Sequence, residues 1–501
     1  MANSETVDIL IVGSGMGGAT SAAGLAPTGA RILILERGLR LRDSADARDV
    51  RAIFQRGVFR PDETWLDGAG QPFNPGNYYY VGGNSKLYGA VLFRYRARDF
   101  EPVVYRDGTT PGWPFSYEEL EPWYCLAETL YNVRGARGFD PTEPAHSTPY
   151  PFEPVPDEPA IGKVRERLKR VGLRPFPLPL GVDIDKWLKR AKTPWDAFPD
   201  TGTGKMDAET CGLDKALAHR NVELRENARV DRLLLGPDGK RVTGVETSVA
   251  GERRPISAGI VVLAAGAVNS AALLLSSSEN GIANRSDAVG RHFMNHNCSA
   301  VLAIDPRTVN DSVYQKTLGI NDFYLDDGRG GPPLGNIQLL GRVTAPILKA
   351  GIPRAPEWAL NLMSRRSVDW YAMSEDLPSP ESRVTVEGGQ IRLDWRRSNW
   401  SAHEGLVKAF KERLRAAGYP IVLSKPFDRR TPSHQCGTVR IGSNPATSPL
   451  DPYCRAWDHP NLFVVDASFL PTSAAVNPSL TIAAQALRVA DHIAKTDLRT
   501  A

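Results

Sequence analysis

Near the C-terminal end of this 501-residue chain, His434 opens the run HQCGTVRIG. A neutral imidazole, with an unperturbed pKa of about 6.5, can take the proton of an alcohol at neutral pH. On local sequence alone, a catalytic base and a histidine packed at the mouth of a glycine turn fit equally well. Further on, Asn477 stands in VNPSLTI. Its amide can donate to an oxygen that is gaining negative charge, an oriented dipole of the kind that stabilises alkoxides. It can equally cap the helix that Pro478 begins. What these two side chains serve depends on what the rest of the chain binds.

The run VDILIVGSGMGGATSAAGLAPTGARILILERG is the most informative. Val7 to Val12 is a continuous apolar, β-branched stretch, the pattern of a parallel strand buried on both faces. Gly13, Gly15 and Gly18 follow at G-x-G-x-x-G spacing: the first for a tight turn, the second for close approach of backbone to a pyrophosphate, the third for helix–strand packing. The helix expected from Gly17 to Ala26, with Met16 at its mouth, points N–H groups and a partial positive charge at that phosphate. A second strand, Arg31 to Leu35, ends at Glu36, ~20 residues on, where a carboxylate accepts from ribose hydroxyls and disfavours a 2′-phosphate. This predicts a dinucleotide but does not separate FAD from NAD.

The far end of the chain separates them. A strand from Leu462 to Val465 ends at Asp466 and Ala467, followed by a helix from Pro478 to Ile493 that includes Thr481. Between the two ends, Ile260 to Ser278 reads as another buried strand, a turn at Ala265–Gly266 and a helix. One site assembled from three remote segments suits a long, extended cofactor, FAD.

Other features set bounds. Net charge is +4, with 61 basic residues scattered among 57 acidic ones, so there is no electrostatic footprint for nucleic acid. Arg94, Arg96 and Arg98 read as a solvated face. Cys125, Cys211, Cys298, Cys436 and Cys454 are odd in number and widely spaced, which argues against a disulfide framework and structural zinc. No signal-peptide pattern opens the chain and no apolar run reaches the ~18 residues of a spanning helix, so a cytoplasmic protein without membrane contact is expected. His146, His219 and His459 read as surface loop residues, His403 as an exposed residue opening a helix, and His492 as a cation at a helix C-terminus. His292 and His296 have a spacing that could place two ligands on one helix face, yet with no third ligand packing or capping is expected and no metal. SRVTVEGGQIRLDWR carries Gly388-Gly389 between alternating runs, a hairpin signal. Asp326 to Gly341 is expected to be flexible by composition. Within it Gln338 fits a substrate contact and a solvent-facing strand residue equally, while Tyr80 suits aromatic packing or stacking on a sugar.

Taken in order, these segments resemble the glucose-methanol-choline (GMC) flavoprotein oxidoreductases over nearly the whole chain. VGGNSKLYGA is similar to the family's second glycine motif, which lies over the flavin. GWPFSYEELEPWYCLAE resembles its W-P-x-S-Y-x-x-L-x-P-x-Y segment, and NVELRENARVDRLLL the strand whose valine, here Val230, meets the adenine. VGRHFMNH, H-x-x-G-T-x-R-x-G and VVDASFLP complete the set. HQCGTVRIG with VNPSLTI is most similar to the pyranose-oxidase and glycoside-oxidase branch. TPWDAFPDTGTGKMDAE and WYAMSEDLPSPESRV are similar to segments of bacterial sugar or glycoside oxidisers, often acting at the 3-position.

The resemblance implies an α/β fold: a Rossmann-like FAD domain with a parallel sheet, built from 1–105, 206–296 and 431–501, and a substrate domain from 106–205 and 297–430 whose antiparallel sheet roofs the flavin. It adds Gly83, Asn84, Ser85, Gly89, Ala90, Asn477 and Pro478 to the cofactor-binding residues above. His434 becomes the expected base and Asn477 its partner for hydride transfer to flavin N5, with a small-molecule pyranose or glycoside oxidised at C2 or C3 and electrons passed to O2, a quinone or another acceptor. A non-sugar alcohol is the alternative substrate, and a flavin-bound lyase, or a flavoprotein that uses its cofactor only as structure, is the alternative class. In some members a histidine of the second glycine motif holds FAD covalently. GGNSKLYGA has none, so non-covalent FAD is expected.

Overall fold

The structure is a computed structural model, describing residues 5–249, 251–428 and 434–498. Ser433 and Arg430, at the edges of the His434 stretch and of the expected roofing region, lie outside the described residues.

Strand β1 (Glu5–Val12), helix α1 (Met16–Leu25) and strand β2 (Ile32–Leu35) form in the order the N-terminal pattern predicts. β1 lies between β2 and the long strand Glu252–Leu263, and the strands Val222–Arg225 and His459–Val464 extend the sheet on either side, all parallel. Leu10, Ile11 and Val12 are buried, as are Ile32 to Leu35, so these strands are covered on both faces, as central parallel strands are. The 12-residue strand Glu252–Leu263 also pairs its first half antiparallel with Val242–Val249, which pairs with Ala228–Leu235.

A second, six-stranded antiparallel sheet runs in the order Ile421–Pro426, Asn297–Ile304, Ser367–Ser374, Asn336–Leu339, Leu318–Ile320, Phe176–Pro177. The helices Pro159–Arg170 and Trp400–Ala416 cover it, and together they bury a separate apolar cluster around Trp370, Leu406 and Phe410. The Gly388-Gly389 hairpin forms, with φ of +57° and +81° at its two glycines. It does not join the six-stranded sheet, however. It makes a four-stranded sheet with Trp65–Asp67 and Pro72–Phe73. Asn336–Leu339, inside the stretch expected to be flexible, is a fully buried strand. Its apolar partners in the sheet outweigh the local glycine content.

Several polar residues are corrected by the tertiary packing. Arg94 and Arg96 are buried rather than solvated: Arg94 grips Glu128 with two 2.7 Å hydrogen bonds, and Arg96 pairs with Asp140. His403 is buried, bonded to the hydroxyls of Ser299 and Ser374, and burial pushes its imidazole down to about 3. His459 is buried on a strand against the Lys240 carbonyl, and the side chain of His146 is only 2% exposed, 3.3 Å from the Glu143 carboxylate. His492 stacks on Tyr453 beside Arg455, and burial lowers its pKa, so it is no dipole-stabilised cation.

Candidate active site

The first glycine turn is held by contacts that leave no room for a side chain. A Cβ on Gly18 would lie 2.0 Å from the Gly13 carbonyl oxygen, and one on Gly17 would lie 2.2 Å from that of Val465. Gly13 (φ +99°) faces Ala264 as closely, at 2.4 Å. The three remote segments therefore touch through backbone. The second glycine motif joins them: the Gly82 N–H donates to Ser14 Oγ, and a Cβ on Gly83 (φ +58°) would lie 3.1 Å from the Gly15 Cα. Gly15 itself has nothing nearer than 4.0 Å to a Cβ, and as N-cap of α1 it offers no side chain to the orphan N–H groups of the first turn.

Two carboxylates stand at the strand ends. Glu36 accepts from Ser14 N–H and Oγ on one oxygen and from Gly38 N–H on the other, which leaves acceptor capacity for a further hydroxyl. Asp466 accepts from Gly266 N–H at 3.0 Å, from the Ser270 hydroxyl and from Ser468 N–H at 2.8 Å. Ala467 and Ala265 continue these turns, the Ala265 N–H donating to Ser270 Oγ. Uncapped N–H groups, a glycine cradle and two buried acids at strand ends fit an extended dinucleotide. Val230 lies on the strand Ala228–Leu235, half-buried.

The other candidates mostly shape turns. Asn84 accepts from Tyr78 N–H, and Ser85 donates to Gly82 O while accepting from Ala208 N–H. A Cβ on Gly89 would come 2.1 Å from Lys316 Nζ, whose ammonium pairs with Asp196 at 2.5 Å. Ala90 holds φ +55°, a left-handed conformation that is unusual for a non-glycine residue. Met16 is the first residue of α1, and Thr481 is turned inward onto Tyr124. Tyr80 donates to the Phe59 carbonyl and pairs with Leu39, beyond β2, which favours packing over sugar stacking.

His434 is placed by a short antiparallel pairing, with N–H···O bonds of 2.9 Å in both directions between Met294 and Cys436. Gly437 (φ +87°) permits this because a Cβ there would meet the His292 carbonyl at 2.5 Å. Thr438 Oγ1 ties the run to Ala267 O. His292 and His296 lie on this extended segment, with His292 at φ +62°, so they share no helix face. Asn477 does not cap the last helix, which starts at Ser479 with Pro478 as N-cap. Instead its Oδ1 accepts from Gln338 Nε2 at 3.1 Å. Gln338 is buried on the inner strand, and its own Oε1 has no partner among the described residues.

Sequence reasoning missed the residues behind this pair. Ser473 Oγ, Glu375 and Asp376 pin the loop that leads to Asn477: Ala474 N–H donates to Glu375 Oε1, and Ser473 Oγ donates to Asp376 O. Burial pushes the Glu375 carboxyl up to about 8 and that of Asp376 to about 6. Their signal was an acidic pair, Glu375-Asp376, directly after a wholly buried strand.

The glycine turns and strand-end acids fit a dinucleotide cofactor, and comparison with known proteins gives the class: an FAD-dependent oxidoreductase. GMC oxidoreductase family models match residues 198–298 at the N-terminal and 390–486 at the C-terminal domain. The chain is 30% identical to a 6'''-hydroxyparomomycin C oxidase of Streptomyces lividus, over 97% of this chain and 92% of that one. It is 31% identical to a C-glycoside 3-oxidase of Microbacterium trichothecenolyticum, over 55% and 54% of the two chains. The crystal structure of a pyridoxine 4-oxidase from Mesorbium loti has the same fold, with a TM-score of 0.67 at 20% identity, covering 97% and 99%. The chain belongs to the GMC oxidoreductase family, an FAD-dependent enzyme acting on CH–OH groups. Among the described residues no helix is long and apolar enough to cross a membrane.

Proposed function

We propose that the protein oxidises a hydroxyl of a sugar or glycoside to a carbonyl, and specifically a secondary hydroxyl at C2 or C3 of a pyranose. The observation that carries the substrate class is the Oε1 of Gln338, buried beside Asn477 and without a partner among the described residues. A buried acceptor without a donor costs about 1–3 kcal/mol, and a polyol can supply a second hydroxyl there while the one being oxidised faces His434, which a simple aliphatic or aromatic alcohol cannot. The relatives' names support the same class, one of them a C-glycoside 3-oxidase. The relative matched over almost its full length is named for a 6'''-hydroxy compound, which favours, as a second reading, a hydroxyl at a 6-position.

In this reading the substrate hydroxyl gives its proton to His434 Nε2, and Asn477 Nδ2 donates to the same oxygen as negative charge develops there. Gln338 holds the Asn477 oxygen and so turns its amide nitrogen outward. Bound FAD supplies the acceptor for the hydrogen and electron pair of the carbinol carbon. The residues that would hold it are Gly13, Gly15, Glu36, Gly83, Ala90 and Asp466.

Anaerobic stopped-flow reduction with glucose, C- and O-glycosides and benzyl alcohol, followed by NMR of the product, tests this. A ring ketone at C2 or C3 is expected. An aldehyde supports the 6-position, and reduction by benzyl alcohol alone overturns the sugar reading.

Two further outcomes are expected. Acid or heat denaturation releases the flavin into the supernatant, because the second glycine motif, Gly82 to Ala90, contains no histidine. Flavin that stays with the precipitate refutes non-covalent binding. The second concerns pH. Burial, with His296 and Lys316 facing it, holds the His434 pKa well below 6.5. Only the neutral ring is a base, so lowering the pKa extends the active form toward acid. The acid-side fall in the reduction rate constant is therefore expected below pH 6.5, and a fall centred above it contradicts the burial of this ring.

A further inference from the structure

We propose that His296 is the positioning residue of the base: through a histidine–histidine hydrogen bond it selects the His434 tautomer whose Nε2 is bare. This rests on the reading of His434 as the base.

The backbone sets the pair face to face. Met294 and Cys436 exchange both N–H···O bonds of an antiparallel pairing, which puts the residues two further along one strand and two back along the other, His296 and His434, directly opposite. Their rings stand edge to face, 4.8 Å between centroids, with His296 Nδ1 2.7 Å from His434 Nδ1. The other nitrogen of His296, Nε2, lies 2.9 Å from the Ser473 carbonyl oxygen.

A carbonyl can only accept, so His296 Nε2 carries a hydrogen. The same carbonyl also takes the Tyr95 hydroxyl at 2.9 Å. Burial pushes His296 down to about 4, so at neutral pH the ring bears one proton and its Nδ1 is a bare acceptor. The hydrogen in the 2.7 Å contact then belongs to His434 Nδ1. A neutral His434 protonated at Nδ1 has its lone pair on Nε2, and among the described residues nothing bonds that nitrogen. The tautomer of the base is thus dictated by a backbone carbonyl two hydrogen bonds away.

The frame is stiff enough to hold it. His434 N–H donates to Asn295 Oδ1 at 2.8 Å, and Asn295 N–H donates to Asp376 Oδ2 at 3.1 Å. Ser473 is bound to the Asp376 backbone in both directions through its hydroxyl. Ser473 also lies four residues before Asn477, so one loop sets the tautomer of the base and carries its polar partner.

The test uses the FAD-loaded enzyme labelled with 15N-histidine. The His434 signals, identified as those lost in His434→Asn, are expected to show a protonated Nδ1 and an unprotonated Nε2. In His296→Leu that pattern is lost and the anaerobic reduction rate constant falls by about 10²-fold, while half-saturating substrate changes by less than about threefold. His296→Asn, whose amide oxygen can replace the Nδ1 acceptor, is expected to recover the tautomer and most of the rate. If His296→Leu does not fold, the wild-type spectrum and His296→Asn decide. A wild-type His434 protonated at Nε2 overturns the proposal, as does His296→Leu reducing at the wild-type rate. Should His434→Ala itself reduce normally, the reading of the base fails instead, and the two failures are told apart by which variant is silent.

Discussion

His434→Ala is expected to lower the anaerobic rate constant for flavin reduction by substrate about 10²–10⁴-fold, the range for removal of a positioned base. The substitution deletes the ring and little else. The His434 N–H bond to Asn295 Oδ1 and the Met294–Cys436 pairing use main-chain groups of the run, so the loop keeps its path. Glu36, Asp466 and the glycine turns are untouched, so FAD content is expected to match wild type and to be readable from the visible spectrum before any kinetics. A rate within about threefold of wild type, at normal FAD content, removes His434 from the chemistry.

Arg94→Met is expected to cost about 3–5 kcal/mol of stability, the loss found when one partner of a buried ion pair is deleted. The side chains of Arg94 and Glu128 are each 1% exposed. The guanidinium also bonds the Tyr117 hydroxyl at 2.9 Å and Glu121 at 3.1 Å. Methionine fills most of the volume but leaves the Glu128 carboxylate in an apolar setting without a counter-charge. The double variant Arg94→Met with Glu128→Leu is expected to recover much of the loss, because an apolar pair carries no desolvation penalty. Urea unfolding midpoints of the two variants measure both effects. A single-variant loss under about 1 kcal/mol places this pair with exposed salt bridges, which are worth that little.

That prediction could not have been made from the sequence. Arg94, Arg96 and Arg98 are a basic cluster with every second residue charged, and an exposed strand edge reads the same way. Two of the three are buried because Glu128 and Asp140, distant in sequence, come to meet them. His403 and His459 were misjudged for the same reason: burial of a polar side chain depends on the partner that satisfies it, here Ser299 and the Lys240 carbonyl. The hairpin at Gly388-Gly389 shows the converse. Its turn is local chemistry and was read correctly, whereas the sheet it joins is a long-range pairing and was not.

The candidate site divides along the same line. Gly13, Gly15, Gly18, Glu36 and Asp466 were legible because strand, turn, helix and acidic strand end follow one another in contiguous sequence. Gln338 fits a solvent-facing strand position or a substrate contact by sequence; the structure buries it against Asn477, which removes the solvent-facing reading. By sequence His296 is a packed or capping histidine, since nothing in VGRHFMNH indicates the ring it faces.

The sequence alone determines the glycine turn, the strands around it and the acidic strand ends, because backbone sterics and apolar periodicity act between near neighbours in the chain. The choice of His434 and Asn477 rests on the family resemblance. The pairing of His296 with His434, the pinning of Ser473 and the burial of Arg94 were decided only by tertiary structure. Each depends on strand order and register, which bring together groups about a hundred or more residues apart or, for Arg94 and Glu128, on different elements. Hydrogen bonds and charges acquire their worth only after that meeting.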